Sequence, residues 1–295
     1  MELKKSGDSI QITREYYDSF LIEMRHLDAA IPSTKTEVLG ETFETPIMMA
    51  ALSHLERIRE NGMVLMAKGA KAAGSVMWCG MGDEQELERI VETGARTVKI
   101  IKPYADRKLV YAKIAHAKAC GALAVGMDID HQFSGKGKPD VVAGQAMTPV
   151  SSEELSAFIR ASDLPFVVKG ILSVQDAVKC AAAGAAGIVI SHHNGLVPYS
   201  VPPLMILPEI VDAVSGKMQI FVDCGVASGA DAFKALALGA DAVSVGKPMM
   251  AALKENGADA VTERINDMTG ELAGIMARTC MARIGEINPS VLRRK

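Results

Sequence analysis

One pattern recurs along this chain. A helical stretch closes on a small residue and glycine, and a short, almost wholly apolar run follows. It appears as "KAAGSVMW" at Gly74, "ETGARTVKI" at Gly94 and "KACGALAVGMD" at Gly121, and again as "AAAGAAGIVI" at Gly184 and "LALGADAVSV" at Gly239. Glycine closes a helix because it accepts the left-handed backbone of the C-terminal turn, and the chain then turns tightly into a strand. Eight such runs occupy 46–50, 75–79, 97–101, 123–128, 165–169, 187–191, 219–223 and 242–246. Strands buried on both faces, as in a parallel sheet covered by helices, have this composition. Helical stretches lie at 58–73, 83–92, 105–119, 152–161, 173–183, 204–214 and 229–238. Eight strand–helix units predict an α/β fold, a (β/α)8 TIM barrel in a single domain. The alternative is an open doubly wound sheet, which the absence of G-x-G-x-x-G after the first run disfavours.

Beyond the repeat, residues 11–30 read as a helix before the barrel, residues 257–282 as a long amphipathic helix, and "RRK" as a ragged tail. The expected divisions are a helical extension over 1–40, the barrel over 41–285 and a tail over 286–295. Residues 131–150, "HQFSGKGKPDVVAGQAMTPV", form the longest irregular segment. It follows the fourth strand, on the face where barrel enzymes keep their sites, and reads as a lid.

Apolar residues make up 49% and charged residues 23%, so a sizeable core is available. A net charge of −3 and 4% aromatic residues give neither a basic surface nor a base-stacking platform, so no nucleic-acid partner is expected. No run approaches the ~18 apolar residues of a membrane span, and the N-terminus does not read as a secretory signal. The five cysteines are widely spaced, with no C-x-x-C pair. That argues for reduced thiols, and hence for a cytoplasmic protein with no disulfides and no zinc site.

In this kind of barrel the chemistry sits at the C-terminal ends of the strands. The polar residues there are Lys99 on strand three, Asp128 with Asp130 and His131 after strand four, and Lys169 on strand five. Ser191, His192 and His193 end strand six, Asp223 ends strand seven, and Gly246-Lys247 follow strand eight. A charge ending an apolar strand is costly unless paired or bound, so this convergence is better explained by a site than by a buried salt-bridge network. Alternation along a strand lets only one of His192 and His193 face the mouth. No spacing suggests a metal. After strands seven and eight, Gly225, Gly229 and Gly246-Lys247 lead into helices, where backbone N–H groups and a lysine would cradle a phosphate.

"VVKGILSVQDAVKCAAAGAAGIVISHHNG" and "IFVDCGVASGADAFKALALGADAVSVGKP" resemble the C-terminal half of the FMN-dependent α-hydroxy-acid dehydrogenases, the family of glycolate oxidase, lactate oxidase and mandelate dehydrogenase. "VLGETFETPIMMAAL" and "DEQELERI" resemble parts of the first half, and the likeness runs from about Tyr16 onward. It implies FMN as cofactor, hydride transfer from a small-molecule CH–OH substrate, and a homo-oligomer, often a tetramer. It implies that Lys169 stabilises the anionic reduced flavin, that His193 takes the substrate hydroxyl proton, and that Asp128 orients that imidazole. Asp223, Gly225, Gly246 and Lys247 match the ribityl and phosphate site. Ala50 and Ala51 match the backbone along the flavin, and Gly80, Lys99 and Ser191 fall at further flavin-contact positions.

The departures concern the substrate. Leu196 stands where the family has an arginine for the substrate carboxylate, and the second such arginine has no match in "DIDHQFSGKGK". Ile101 is matched to a family tyrosine, Gly126 to a serine or threonine, and Ala227 to a phosphate arginine. Leucine cannot replace a bidentate guanidinium. His131, His192, Lys136 and Lys138 are the candidates for another anion contact, although the two lysines read better as a solvated loop. Two other functions stay open: a non-oxidising FMN-dependent isomerase and a non-catalytic flavin- or ligand-binding barrel. The substrate and the electron acceptor also stay open.

Overall fold

The computed structural model describes residues 7–214 and 216–295. Eight parallel strands follow one another: β1 Ile47–Met49, β2 Met77–Cys79, β3 Thr97–Ile101, β4 Ala124–Asp128, β5 Phe166–Ile171, β6 Gly187–Ile190, β7 Gln219–Val222 and β8 Ala242–Val245. Each pairs with the next from β2 to β8, and β8 returns to β1. The seam between β1 and β2 is closed by Met49 N donating to Val76 O (3.0 Å) and Gly80 N donating to Leu52 O (2.8 Å). The predicted α/β barrel is therefore present.

Period-two alternation sorts the strand residues into two layers. Met48, Trp78, Val98, Ile100, Ala124, Val167, Val189, Phe221 and Ala242 form one buried cluster inside the barrel. Ile47, Met49, Met77, Ile101, Met127, Val168, Ile188, Val222 and Val243 face outward and pack on the helices. A hairpin, Thr36–Val38 with Glu41–Phe43, closes the bottom, where Val38 and Phe43 join the inner cluster. Gln219, at the start of β7, ties it down through Leu39 N (2.6 Å) and Glu37 O (2.9 Å).

The ends of the chain differ from expectation. The first helix, α1, runs only over Ser9–Asp18, with Asp8 as its N-cap. Phe20–Ile22 then form a strand antiparallel to Leu292–Arg294. The segment expected to be helical to residue 30 and the tail expected to be ragged thus order each other. Residues 1–6 of the expected extension lie outside the described residues. The last helix begins earlier than expected and spans Lys247–Arg278, broken at Asn256 and Gly257, whose φ/ψ are not helical. Its first part completes the eighth β/α unit. Residues 131–150 contain a small hairpin, Val141–Val142 with Gln145–Ala146, and are pinned through Ala105 N to Ala146 O (2.8 Å).

Candidate active site

The inward alternation of β4, β5 and β7 brings Asp128, Lys169 and Asp223 to one mouth, each less than 10% exposed. On β3 the register overturns the expected placement. Val98 and Ile100 take the interior, so Lys99 and Ile101 face the helices. The Lys99 ammonium donates to Gly80 O at 2.5 Å. The inward cation of β3 is instead Lys102, one residue past its end, whose Nζ lies 2.6 Å from Asp128 Oδ2. No local sequence signal marks Lys102, because the strand's bounds are as expected and only its packing decides which alternate residues face inward.

Lys169 Nζ sits 3.6 Å from Asp128 Oδ1, 3.5 Å from Asp223 Oδ2 and 3.4 Å from His193 Nδ1. Burial disfavours its charge, but Asp128, Asp223 and Asp130 outweigh that and hold it firmly protonated. Burial likewise pushes Asp128 up, but Lys169, His193 and Lys102 hold its carboxyl well below the usual carboxylate range. Asp128 Oδ1 is buried with no hydrogen-bond partner. A buried ammonium whose neighbours are all 3.4–3.6 Å away keeps N–H capacity for a ligand acceptor.

β6 ends at Ile190, and His193, Asn194 and Gly195 follow with φ of 47°, 58° and 87°. Strand alternation no longer applies there, and both imidazoles line the cavity, contrary to the expectation that one must turn away. His192 is buried, with Nε2 2.8 Å from Thr13 Oγ1 and Nδ1 accepting from Gly195 N (3.0 Å). Burial lowers its pKa, so it stays neutral. His193 Nδ1 faces Asp130 Oδ1 at 2.9 Å and Oδ2 at 3.0 Å, with Asp128 Oδ1 at 3.4 Å. Its nearer carboxylate is thus Asp130, and the expected partner Asp128 is the more distant of two. Burial opposes the imidazolium, but Asp128 and Asp130 outweigh it and raise His193 to about 9. Gly170, at a bulge in β5 with φ 92°, permits this approach, since a Cβ there would meet Asp130 Oδ2 at 2.5 Å. Donor atoms of Asp128, Asp130, His131 and His193 lie within 4.8 Å of one another. A cation has little to gain there, because the Lys169 and Lys102 ammoniums already supply the positive charge.

A cavity of about 550 Å³ opens beside these groups. Lys169, Asp223, Gly225, Gly246, Lys247, Ala50 and Ala51 line it. Gly80, Lys99 and Ser191 do not line it. Ser191 is buried behind it, its Oγ accepting from His193 N at 3.0 Å. Ile10, Thr13 and Arg14 of α1 also form part of the wall, a contribution that sequence spacing could not indicate.

The phosphate cradle expected after β7 is already occupied by side chains of the chain itself. Ala227 N donates to Asp231 Oδ2 (3.0 Å) and Gly229 N to Glu271 Oε2 (2.7 Å). Arg14 pairs with both Asp231 oxygens at 2.8 and 2.9 Å. At the start of the last helix, Gly246 is an N-cap with no side-chain cap, and the exposed Lys247 stands beside it. Met249 N and Met250 N already donate to Gly246 O (both 3.0 Å) and Pro248 has no N–H, so it is the Lys247 backbone N–H and its exposed ammonium that suit an anion, and the phosphate end of a ligand fits there better than at the β7 turn. The size of the cavity, its small-residue wall and its buried ammonium fit an FMN.

A family model described as FMN-dependent dehydrogenase matches residues 2–152 and 137–294. L-lactate oxidase of Roseobacter sp. (strain GAI101) is 30% identical, over 88% of this chain and 79% of that one. Glycolate oxidase 1 of Zea mays is 28% identical, over 95% and 86%. Among solved structures, a tyrosine-to-phenylalanine variant of mandelate oxidase with the monooxide FMN adduct superposes with a TM-score of 0.89, at 30% identity over 99% of this chain and 92% of that one. An arginine-to-leucine variant of mandelate oxidase with 2-hydroxy-phenylacetamide also superposes at 0.89, with 28% identity over 99% and 90%. With matches that run through every unit of the barrel, this chain belongs to the FMN-dependent dehydrogenase family.

Proposed function

We propose that this chain is an FMN-dependent oxidoreductase that takes a hydride from a small hydroxyl compound and does not require that compound to carry a carboxylate. The observation that carries the reading is that Lys169 and His193 line a flavin-sized cavity while Asp128 and Asp130 hold them from behind. FMN, when bound, supplies the hydride acceptor. Lys169 would place its charge beside the electron-rich edge of the flavin, where negative charge develops. His193, held through Nδ1 by Asp130 with the charge of Asp128 nearby, would present Nε2 to the substrate hydroxyl and act as base once neutral. Asp128, fixed by Lys102, would keep that region anionic and so support the positive charge His193 acquires. Asp223, Gly246 and Lys247 would hold the ribityl and phosphate groups, with Ala50 and Ala51 along the ring.

The absence of a carboxylate requirement rests on the charges at the mouth. Leu196 is 44% exposed and does not line the cavity. Lys102 is committed to Asp128, and Arg14 to Asp231. We further infer a cytoplasmic homo-oligomer built on the barrel of residues 41–285. Among the described residues, no helix is long and apolar enough to cross a membrane.

The test is the visible spectrum of the purified protein, followed by anaerobic mixing with mandelate, lactate and glycolate and with their amides, including 2-hydroxy-phenylacetamide. Flavin bleaching by the amides at least as fast as by the acids is expected. Bleaching by the acids alone would restore carboxylate recognition, and a colourless protein that cannot be reconstituted with FMN would sink the reading.

A further inference from the structure

His193 Nε2 is not free. It lies 3.2 Å from Nε2 of His131, with the two rings edge to face at 4.4 Å between centroids. His131 Nδ1 in turn lies 3.2 Å from Asp140 Oδ2. The loop is folded to make this contact: Asp140 N donates to Gln132 O, and Phe133 bridges Pro139, so Asp140 returns to His131 nine residues on. The result is a line of four groups, Asp130, His193, His131 and Asp140.

We propose that His131, oriented by Asp140, is the second imidazole of this site, a positioning residue that accepts a hydrogen bond from His193 Nε2 and is the first stop for a proton leaving His193. That the proton comes from a substrate rests on the function proposed above; that the two rings share it does not. Two nitrogens at 3.2 Å need one proton between them, neither two nor none. Asp140 accepts from His131 Nδ1, which leaves the His131 Nε2 lone pair facing His193. Asp130 accepts from His193 Nδ1, so His193 supplies the Nε2 proton and is an imidazolium.

The charged groups around the pair agree. Lys102, at the end of β3, and the neighbouring His193 disfavour charge on His131, as does burial, while Asp140 favours it, and the balance lies below the usual imidazole range. Asp128 and Asp130 from β4 and its turn favour charge on His193, against burial and Lys169 of β5. In the outward step the His193 Nε2–H bond breaks and a His131 Nε2–H bond forms. The positive charge then stands beside Asp140. His131 loses the same proton to water, which reaches it because its side chain is 20% exposed and that of Asp140 is 22% exposed. While both carboxylates beside His193 are ionised the step is uphill, so the proton rests on His193 and visits His131. The separation of 3.2 Å leaves no room for a substrate oxygen between the rings, so His131 must swing aside for substrate and return after it.

Long-range ¹H–¹⁵N spectra of histidine-labelled full-length protein test this without substrate or flavin. At neutral pH we expect His193 protonated on both nitrogens and His131 neutral with its proton on Nδ1. Raising the pH should move the signals of both rings in one shared step. His131→Phe removes the acceptor and should lower the His193 midpoint by about one pH unit; His131→Gln, which keeps an acceptor oxygen, should restore part of it. A His131 ring protonated on Nε2, or the same His193 midpoint in wild type and His131→Phe, would overturn the proposal. A protein that binds no FMN but shows the expected tautomers overturns the proposed function and leaves this inference standing.

Discussion

At the scale of the residue, the protonation of His193 is a stability statement. Its folded-state pKa is raised to about 9 from the ordinary imidazole value of 6.5. A raised histidine contributes stability that is fully present below the unfolded value and is lost as pH rises through the folded one. Between about pH 6.5 and 9 the protein should therefore lose up to ~3 kcal/mol from this group. Urea denaturation across that window should show the slope in wild type and a flatter profile in His193→Gln. Gly126 gives a second residue-level prediction. A Cβ there would lie 2.2 Å from Val167 O and 2.7 Å from Ile100 Cδ1, so the serine or threonine of the family pattern does not fit this barrel. Gly126→Ser should cost about 1–3 kcal/mol by overpacking, read as a lower denaturation midpoint. The glycine could be read as a departure from the family, but its reason could not, because Ile100 and Val167 meet it only across neighbouring strands.

At the scale of the element, the strand pair Phe20–Ile22 with Leu292–Arg294 joins the two ends of the chain. Leu292 is buried in a cluster with Phe20, Phe233 and Met276, and the Arg294 guanidinium lies 4.2 Å from the Tyr16 ring centroid and 4.0 Å from that of Phe20. Removing residues 292–295 should destabilise the protein by about 2 kcal/mol or more, from the burial of one leucine and the lost ladder. It should also loosen α1, which walls the cavity. Thermal unfolding of the truncated protein measures the first effect, and protease sensitivity near residue 20 the second. Neither strand is legible locally. Three residues of weak pattern become a strand only because a partner more than 250 positions away supplies the hydrogen bonds. The eight barrel strands were legible because burial on both faces demands an unbroken apolar run. Their polar ends were less so: β3 has the bounds the sequence indicates, but which of its two faces turns inward is not a local property, and that choice exchanges Lys99 for Lys102 at the mouth, since successive side chains point to opposite faces.

At the scale of the whole molecule, a ligand that binds only the folded barrel must stabilise it. Adding FMN at a hundredfold excess over its dissociation constant should add about 2.7 kcal/mol, seen as a concentration-dependent rise in the thermal midpoint. No rise at any concentration would count against the cavity as a flavin site. The barrel also explains how α1 reaches chemistry that lies on the strands. Thr13 touches His192 and Arg14 touches Asp231, so an element outside the β/α repeat completes the wall at the mouth.

By itself the sequence determined the eight-fold strand–helix order, the family, and the convergence of Asp128, Lys169, His193 and Asp223, because apolar runs and their polar ends are local properties of a chain. Only the tertiary structure decided that Lys102 rather than Lys99 enters the mouth, that Asp130 rather than Asp128 is the nearer partner of His193, and that His131 caps its other nitrogen. Those choices turn on which face of a strand packs inward, on a bulge at Gly170 and on a loop folded back at Asp140. Each depends on where distant segments meet, which no run of neighbouring residues encodes.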